Sequence, residues 1–301
     1  LPFCLLILVA GSTAINAQTV DSTLIRVYED SLKVMAFEMM NNPDSAVRVA
    51  AKNEFMPLLR EALDVPGAFN YDFDSLVTVS RLRPEDGSFR LMTWQLCLNS
   101  NLFEYYGFLQ MPGEGGRIFR LYDKGDEARI PEKDILSNKN WMGALYYNIK
   151  EFKDKKTNYY LLFGFDATDL YTRTKLIDVL SFEKGKPVFG APVFIQEEPS
   201  GMQLTQNRFI ITYGAGSAVS LNYNQDLEMI VFDNLISIGS QYEDQGIIGV
   251  GDGSYRGFTF KKGKWHTIEK VFTYVQEEAP RPNPILDNRK GRSGLIGPDN
   301  N

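Results

Sequence analysis

The alternation of apolar and polar residues is most regular in the middle of the chain, between Trp141 and Phe194. Apolar side chains occupy every second position there, and many are β-branched or aromatic. Turns containing Gly, Asn, Asp or Lys separate these runs. A period of two is typical of half-buried β-strands joined by short turns. The pattern predicts four consecutive antiparallel strands, at 145–150, 159–165, 176–182 and 188–194.

The same pattern on both sides of this stretch predicts one antiparallel β domain over 75–279. Further strands are predicted at 75–82, 89–98, 102–111, 117–123, 207–213, 217–224, 228–236, 246–250, 255–261 and 264–272. Two pairs of similar segments, DGSFR with DGSYR and FEKGK with FKKGK, are interpreted as favoured hairpin turns. We do not interpret them as blade repeats, because no period of propeller length continues through the chain. The predicted fold is mainly β, an antiparallel meander that is propeller-like or sandwich-like.

An N-terminal helical segment is predicted over 18–74, before the β domain. The first helix, from Thr19 to Met40, has an apolar face at helical spacing. That face consists of Leu24, Tyr28, Leu32, Met35 and Met39. The two helices of this segment are expected to form a hairpin that packs on the β domain or caps one end of it.

The second helix is expected to begin at Asn42 and to end near Asp64. Asn42 is interpreted as its N-cap and Pro43 as its first helical residue, a position that proline favours. Pro57 lies inside the predicted helix and lacks a backbone N–H. We therefore expect a kink or a break there.

The two ends of the chain are predicted to lie outside the folded domain. Residues 1–17 carry no charge, are apolar up to Gly11 and end in small residues, as in a cleaved signal peptide. The apolar run is shorter than the ~20 residues that cross a bilayer, so no transmembrane segment is expected in the mature chain. The segment 280–301, rich in Pro, Gly, Asn and Arg, is expected to be a disordered tail. The protein is thus predicted to be exported, to the periplasm or beyond the cell.

Charge and residue types then narrow the possible functions. The net charge of −6 argues against a nucleic-acid partner, which would require clustered Lys and Arg at phosphates. Cys97 is the one cysteine left after cleavage and is interpreted as a small buried hydrophobe. The single histidine, His266, together with the absence of a G-x-S-x-G motif, disfavours a serine or cysteine nucleophile.

No metal or cofactor is predicted. One histidine and one cysteine do not supply the four N or S ligands of a typical zinc site. Two acidic stretches are candidates for calcium ligands, Asp123 to Glu127 and Asp72 to Asp74. Neither matches the spacing of an EF-hand loop, so both are interpreted as charged loops.

Three aspartates are candidates for acid–base chemistry: Asp166, Asp178 and Asp233. Two of them facing each other across a cleft would meet the requirement for glycoside hydrolysis. The alternative is that each aspartate forms a turn at a strand end, which is the commoner role.

Pairs of adjacent tyrosines are the most suggestive feature for binding. Tyr146 with Tyr147, and Tyr159 with Tyr160, lie on predicted strands, so one ring of each pair points to each face of the sheet. Tyr105 and Tyr106 form a third pair. If one face is solvated, these rings are candidates for a platform that stacks a sugar or holds a peptide. The alternative is that tyrosine simply suits a half-buried strand.

Several longer segments resemble a family of exported, functionally uncharacterised proteins of Bacteroidota-type bacteria. They are TWQLCLNSNLFEYYGFLQM, WMGALYYNIKEF, YYLLFGFDATD, KLIDVLSFEKGKPVFGAPVF and GDGSYRGFTFKKGKW. The resemblance covers Asp86 to about Val271. It implies a cell-envelope or secreted setting and a β-rich fold, and it brings no known activity, cofactor or site residues.

Two functional hypotheses follow. The first is an exported, non-catalytic binding or envelope-associated protein that uses Tyr146, Tyr147, Tyr159 and Tyr160 to hold an envelope protein or a glycan. The second is a glycan-directed hydrolase that uses paired carboxylates.

Overall fold

The structure is a computed structural model that describes residues 22–113, 115–197, 201–240 and 246–272. The predicted signal peptide, 1–17, and the predicted tail, 280–301, lie outside these ranges. No helix within the described ranges is long and apolar enough to cross a membrane.

Two helices open the described chain, α1 (Ser22–Asn41) and α2 (Ser45–Asp64). The buried face of α1 contains Leu32 and Met39, as predicted, but it is rotated from the predicted stripe. Its other members are Ile25, Glu29 and Ala36. The helical hairpin packs on one face of the first β-sheet, where Phe55 of α2 contacts Trp94 edge to face.

The predicted start of α2 is wrong by two residues, and Pro57 does not break this helix. Asp44 is the N-cap, and its Oδ1 accepts the N–H of Ala46 at 2.8 Å. The side-chain amide of Asn42 instead donates to Glu38 at 2.7 Å, at the end of α1. Pro57 is on the solvent side of α2, so water can bind the carbonyl group that lacks a donor.

The strands form three sheets, and the fold is mainly β, as predicted. The first sheet has the order β1-β2-β3-β4 and is antiparallel throughout. Its strands are β1 (Ser80–Leu82), β2 (Arg90–Asn99), β3 (Leu102–Gln110) and β4 (Ile118–Tyr122).

The second sheet has the order β5-β9-β8-β7-β6, and β12 pairs with the first half of β8. Its strands are β5 (Leu136–Ser137), β6 (Leu145–Asp154), β7 (Thr157–Asp166), β8 (Thr172–Glu183), β9 (Lys186–Phe189) and β12 (Phe209–Gly214). All of its pairs are antiparallel.

The third sheet has the order β11-β10-β16-β15-β14-β13. Its strands are β10 (Phe194–Glu197), β11 (Gln203–Gln206), β13 (Leu221–Asn224), β14 (Met229–Gly239), β15 (Ile247–Lys261) and β16 (Lys264–Ile268). The pair of β10 with β16 is parallel, and the other pairs are antiparallel.

The predicted strand 188–194 is wrong, because the chain changes sheets within it. Strand β9 ends at Phe189, and Gly190 follows with a φ of 104°. This left-handed conformation suits glycine. Strand β10 then begins at Phe194 in the third sheet.

Three of the four repeated turn segments lie in hairpins, as predicted, and one does not. Asp86-Gly87 lies in the loop that joins β1 to β2, an antiparallel pair. Lys184-Gly185 joins β8 to β9, and Lys262-Gly263 joins β15 to β16, all four residues with positive φ. Asp252-Gly253, in contrast, lies inside β15, which is one strand where two were predicted. The register of β14 and β15 shifts there, so the segment forms a bulge.

The three sheets stack face to face, in a sandwich-like arrangement with one additional layer. The core between the first and second sheets contains Leu91, Leu109, Leu162 and Leu180. The core between the second and third sheets contains Phe163, Val179 and Phe258, among others. Both faces of the second sheet are therefore covered.

Candidate functional site

A cleft of about 720 Å³ opens where β3 and β4 of the first sheet meet the loop that follows β7. Carboxylates and tyrosines form much of its wall, and we call it the acidic cleft. These residues are Glu104, Tyr105, Tyr106, Tyr122, Asp123, Asp126, Glu127 and Asp166. The cleft thus joins side chains from the first and second sheets.

Asp123 directly follows β4, and two backbone groups hold its carboxylate. Its Oδ2 accepts the N–H of Tyr105 at 3.0 Å, and its Oδ1 accepts the N–H of Gly125 at 3.1 Å. Gly143 packs against the same carboxylate, where a Cβ atom would lie 2.3 Å from Oδ1. The carboxylate is therefore held in one position by its surroundings.

Asp166 is the last residue of β7, and it lies in the same cleft. Its Oδ1 accepts the N–H of Thr168 at 2.8 Å. The hydroxyl of Tyr105 accepts the N–H of Ala167, the next residue, at 2.6 Å. Tyr105 therefore bonds to the Asp123 carboxylate through its backbone and to the residue after Asp166 through its hydroxyl.

The two carboxylates have perturbed proton affinities. Burial raises the pKa of Asp123 to about 6, although the backbone N–H groups of Gly125 and Tyr105 oppose the shift. Burial also raises the pKa of Asp166. The negative charge of Asp166 further raises the pKa of Asp123, and the charge of Asp126 raises the pKa of both. Raised carboxyl pKa values in a cleft are common at functional sites.

The cleft has more acidic than basic side chains. Its basic residues are Arg120 and Lys124. Lys124 is paired with Glu127 at 2.7 Å, and the Arg120 guanidinium lies 4.7 Å from the ring centre of Tyr122. The Tyr106 hydroxyl donates to Glu104. The arrangement favours ligands that donate hydrogen bonds and disfavours anions.

Asp178, a candidate from the sequence, is part of the core and not of the cleft. Its Oδ1 lies 2.8 Å from Nη2 of Arg208, and both side chains are fully buried. Its Oδ2 accepts the hydroxyl of Tyr146 at 3.0 Å, and that hydroxyl accepts the indole N–H of Trp141 at 2.8 Å. In this setting Asp178 neutralises a buried arginine.

Asp233, the third candidate, lies on β14 and bonds to the residue directly before β13. Its Oδ2 accepts both the backbone N–H and the hydroxyl of Ser220, each at 2.5 Å. Asp166, Asp178 and Asp233 therefore have three separate environments. The structure instead brings Asp166 together with Asp123, whose only sequence signal was its place in a charged loop directly after a strand.

The four tyrosines proposed as a platform do not share a surface. Tyr146 and Tyr160 are 0% and 2% exposed, and the Tyr160 hydroxyl donates to Asp86 at 2.7 Å. Tyr147 donates to the carbonyl oxygen of Leu221 at 2.5 Å, in the third sheet. Tyr159 stacks on Phe152 with ring centres 5.2 Å apart. The tyrosines that do gather around a cavity are Tyr105, Tyr106 and Tyr122.

The remaining candidates lie away from the cleft. His266 is on β16, between Ile195 and Thr259 of the neighbouring strands. Cys97 is half-buried, and its thiol donates to the carbonyl oxygen of Asn99 at 3.3 Å. In the ranges that the structure describes, no group of three or more His, Cys, Asp or Glu side chains is arranged to hold a metal ion.

We compared the chain with models of known protein families, with curated proteins and with solved structures, and none of the three comparisons found a match. The acidic cleft is therefore interpreted from its own geometry.

Proposed function

We propose that the protein is an exported, non-catalytic binding protein that holds a neutral glycan in the acidic cleft. The observation that carries this proposal is the gathering of three tyrosines and five carboxylates around one cavity. Export is inferred from the signal-peptide pattern of residues 1–17, and it is a separate part of the proposal.

The size and the chemistry of the cleft suit a short oligosaccharide. Its volume of about 720 Å³ lies in the range of small-molecule sites, ~300–1,000 Å³. Tyrosine rings offer flat apolar surfaces for the C–H faces of sugar rings, and carboxylates accept hydrogen bonds from sugar hydroxyls. The same acidic wall repels anionic ligands.

The way in which Asp123 is held supports binding rather than catalysis. Both of its oxygens accept backbone N–H groups, and it packs against Gly143. A carboxylate in this setting positions the loop between Asp123 and Gly143 and presents a fixed acceptor. Such preorganised acceptors reduce the entropy cost of binding.

Calorimetric titration with neutral cello-, xylo-, malto- and chito-oligosaccharides tests the proposal. We expect one of these series to bind, and we expect Tyr122→Ala and Asp126→Asn to weaken binding by about tenfold or more. Tyr255→Ala is the matched control, a partly exposed tyrosine of the third sheet outside the cleft. If no series binds, or if Tyr255→Ala weakens binding as much as Tyr122→Ala, the proposal is wrong.

A glycan hydrolase is the second candidate, and the pairing of Asp123 with Asp166 favours it. A carboxyl with a pKa of about 6 is a suitable general acid, and a second carboxylate beside it can act as base or nucleophile. The test is to measure reducing ends released from the same oligosaccharides. If the wild-type protein releases them and Asp166→Asn does not, the protein is a hydrolase and the non-catalytic proposal is wrong. Asp233→Asn, remote from the cleft, is the control for that assay.

A further inference from the structure

The outer face of α1 carries large apolar side chains that no other part of the described chain covers. Val27, Val34 and Phe37 are 62%, 62% and 60% exposed. They are seven and three residues apart, so they follow one side of the helix, opposite the buried face that contains Leu32. We call this side the outer face of α1. A row of apolar side chains at helical spacing is typical of a helix that packs against a partner.

Exposed charged residues lie on the same side of the helix, and they include Arg26, Asp30 and Lys33. Asp30 and Lys33 are both exposed, and neither forms a salt bridge with another residue in the described ranges. Their positions are symmetric about the middle of α1, near Ser31 and Leu32. Val27 and Phe37 are symmetric about almost the same point. The outer face is thus self-complementary under a twofold rotation.

We propose that a second copy of this chain docks on the outer face of α1, with the two helices antiparallel. The twofold axis passes near Ser31, so that Asp30 of each copy faces Lys33 of the other. Val27 of each copy then packs against Phe37 of the other. Both contacts occur twice, as in any isologous interface.

The charges select the antiparallel orientation over the parallel one. In a parallel pair each residue stands beside its own copy, so that Asp30 would face Asp30 and Lys33 would face Lys33. Like charges in contact destabilise such a pair, whereas the antiparallel pair places opposite charges together. The charges therefore favour the antiparallel orientation of the second copy's α1, and the apolar side chains supply the buried area.

The interface is small, so the dimer is expected to be weak. A helix of 20 residues is about 30 Å long. One helix pair buries less than the ~1,600 Å² of a standard interface. We expect dissociation constants in the micromolar range or weaker. The contact lies on the solvent side of the helical layer and leaves the acidic cleft open.

Sedimentation velocity over a concentration series, ~1 μM to ~1 mM, tests the proposal with the full chain. We expect a monomer–dimer equilibrium. Asp30→Lys and Lys33→Asp are each expected to raise the dimer dissociation constant at least tenfold. The double variant with both changes again places opposite charges across the axis, and we expect it to restore dimerisation to within about threefold of wild type. This recovery separates the proposal from a folding defect.

The control is Val47→Asp on α2, a partly exposed valine away from the outer face of α1, which is expected to leave the equilibrium unchanged. A monomer at every concentration would overturn the proposal. Two further results would overturn it: a dissociation constant that neither single charge change alters, or a double variant that dimerises as weakly as the single variants.

Discussion

Asp123 and Ala167, which follow strands of different sheets, are bonded to opposite ends of the same residue, Tyr105. The Asp123 carboxylate accepts the backbone N–H of Tyr105 at 3.0 Å, and the Tyr105 hydroxyl accepts the N–H of Ala167 at 2.6 Å. Ala167 directly follows Asp166, so Tyr105 connects the two acidic segments at the wall of the acidic cleft. This link connects the loop after β4 to the end of β7.

Asp123 is expected to titrate with a midpoint near pH 6 in the folded protein. Burial disfavours its charged form, so the folded state binds the proton more tightly than the unfolded chain does. The stability contributed by this group is therefore fully present below pH 3.8 and is lost as the pH rises through about 6. Carboxyl ¹³C shifts measured against pH check the midpoint. Asp169 is the internal control: burial, the largest single effect, raises its pKa, but its hydrogen bonds from Tyr171 and Thr172 together lower the pKa below the usual value. Equal midpoints for the two residues would contradict the prediction.

Gly143→Ala is expected to disturb the cleft, whereas Gly87→Ala is not. Both glycines have positive φ, 74° and 64°, so both variants carry backbone strain of similar kind. Only at Gly143 does a Cβ atom meet a neighbour, the Asp123 carboxylate. We expect Gly143→Ala to lower the free energy of unfolding by at least ~1 kcal/mol more than Gly87→Ala. We also expect it to shift the titration of Asp123. Denaturant unfolding of the two variants measures the difference, and equal losses would exclude the steric contact.

Asp178→Ala is expected to be among the most destabilising single changes in the protein. It leaves the fully buried Arg208 without its carboxylate, and breaking a buried ion pair on one side typically costs ~3–5 kcal/mol. Replacing both partners, as Asp178→Leu with Arg208→Met, is expected to recover part of that loss. Asp64→Ala, which removes an exposed pair with Arg60, is expected to cost less than ~1 kcal/mol. Chemical denaturation compares all three, and similar costs at Asp64 and Asp178 would refute the role of burial.

Tyr146→Phe is expected to reduce stability more than Tyr159→Phe, although both tyrosines belong to adjacent pairs on strands. The Tyr146 hydroxyl lies between the Trp141 indole N–H and Asp178 in the core. Its removal leaves buried polar groups unpaired, at a cost of ~1–3 kcal/mol. Tyr159 packs through its ring on Phe152, so loss of its hydroxyl is expected to change stability by less than ~0.5 kcal/mol. Thermal unfolding of both variants provides the measurement, and a larger loss for Tyr159→Phe would contradict the assigned roles.

The turns and the sheet boundaries show how far the sequence could predict the fold. The Lys-Gly turns were predictable because a tight hairpin needs positive φ at two adjacent positions, a local requirement. Asp252-Gly253 has a similar turn sequence, yet only Gly253 has positive φ, and Asp252 lies in a bulge opposite Asn234, because β14 continues beside β15 beyond that point. The change of sheet between Phe189 and Phe194 was not predictable, since both segments keep the alternation of a strand.

The acidic cleft could be predicted only in part. The loop of Asp166 was identified from its acidic residues after a strand, whereas Asp178 and Asp233 lie inside predicted strands. Their different roles depend on Arg208 and Ser220, which lie on other segments of the chain. Asp123 and Asp166 meet because two sheets stack, and no spacing in the sequence encodes that contact.

The sequence by itself determined where most strands and both helices form, because alternation, helical spacing and turn chemistry act over a few residues. It also determined that adjacent tyrosines point to opposite faces of a sheet. Only the tertiary structure decided which of those faces is covered. Tyr146 and Tyr160 are buried because the first sheet packs on their side of the second sheet, and Tyr105 reaches the cleft because two sheets end beside it. Burial and the meeting of side chains depend on how layers stack, which is a property of the whole chain rather than of any one segment.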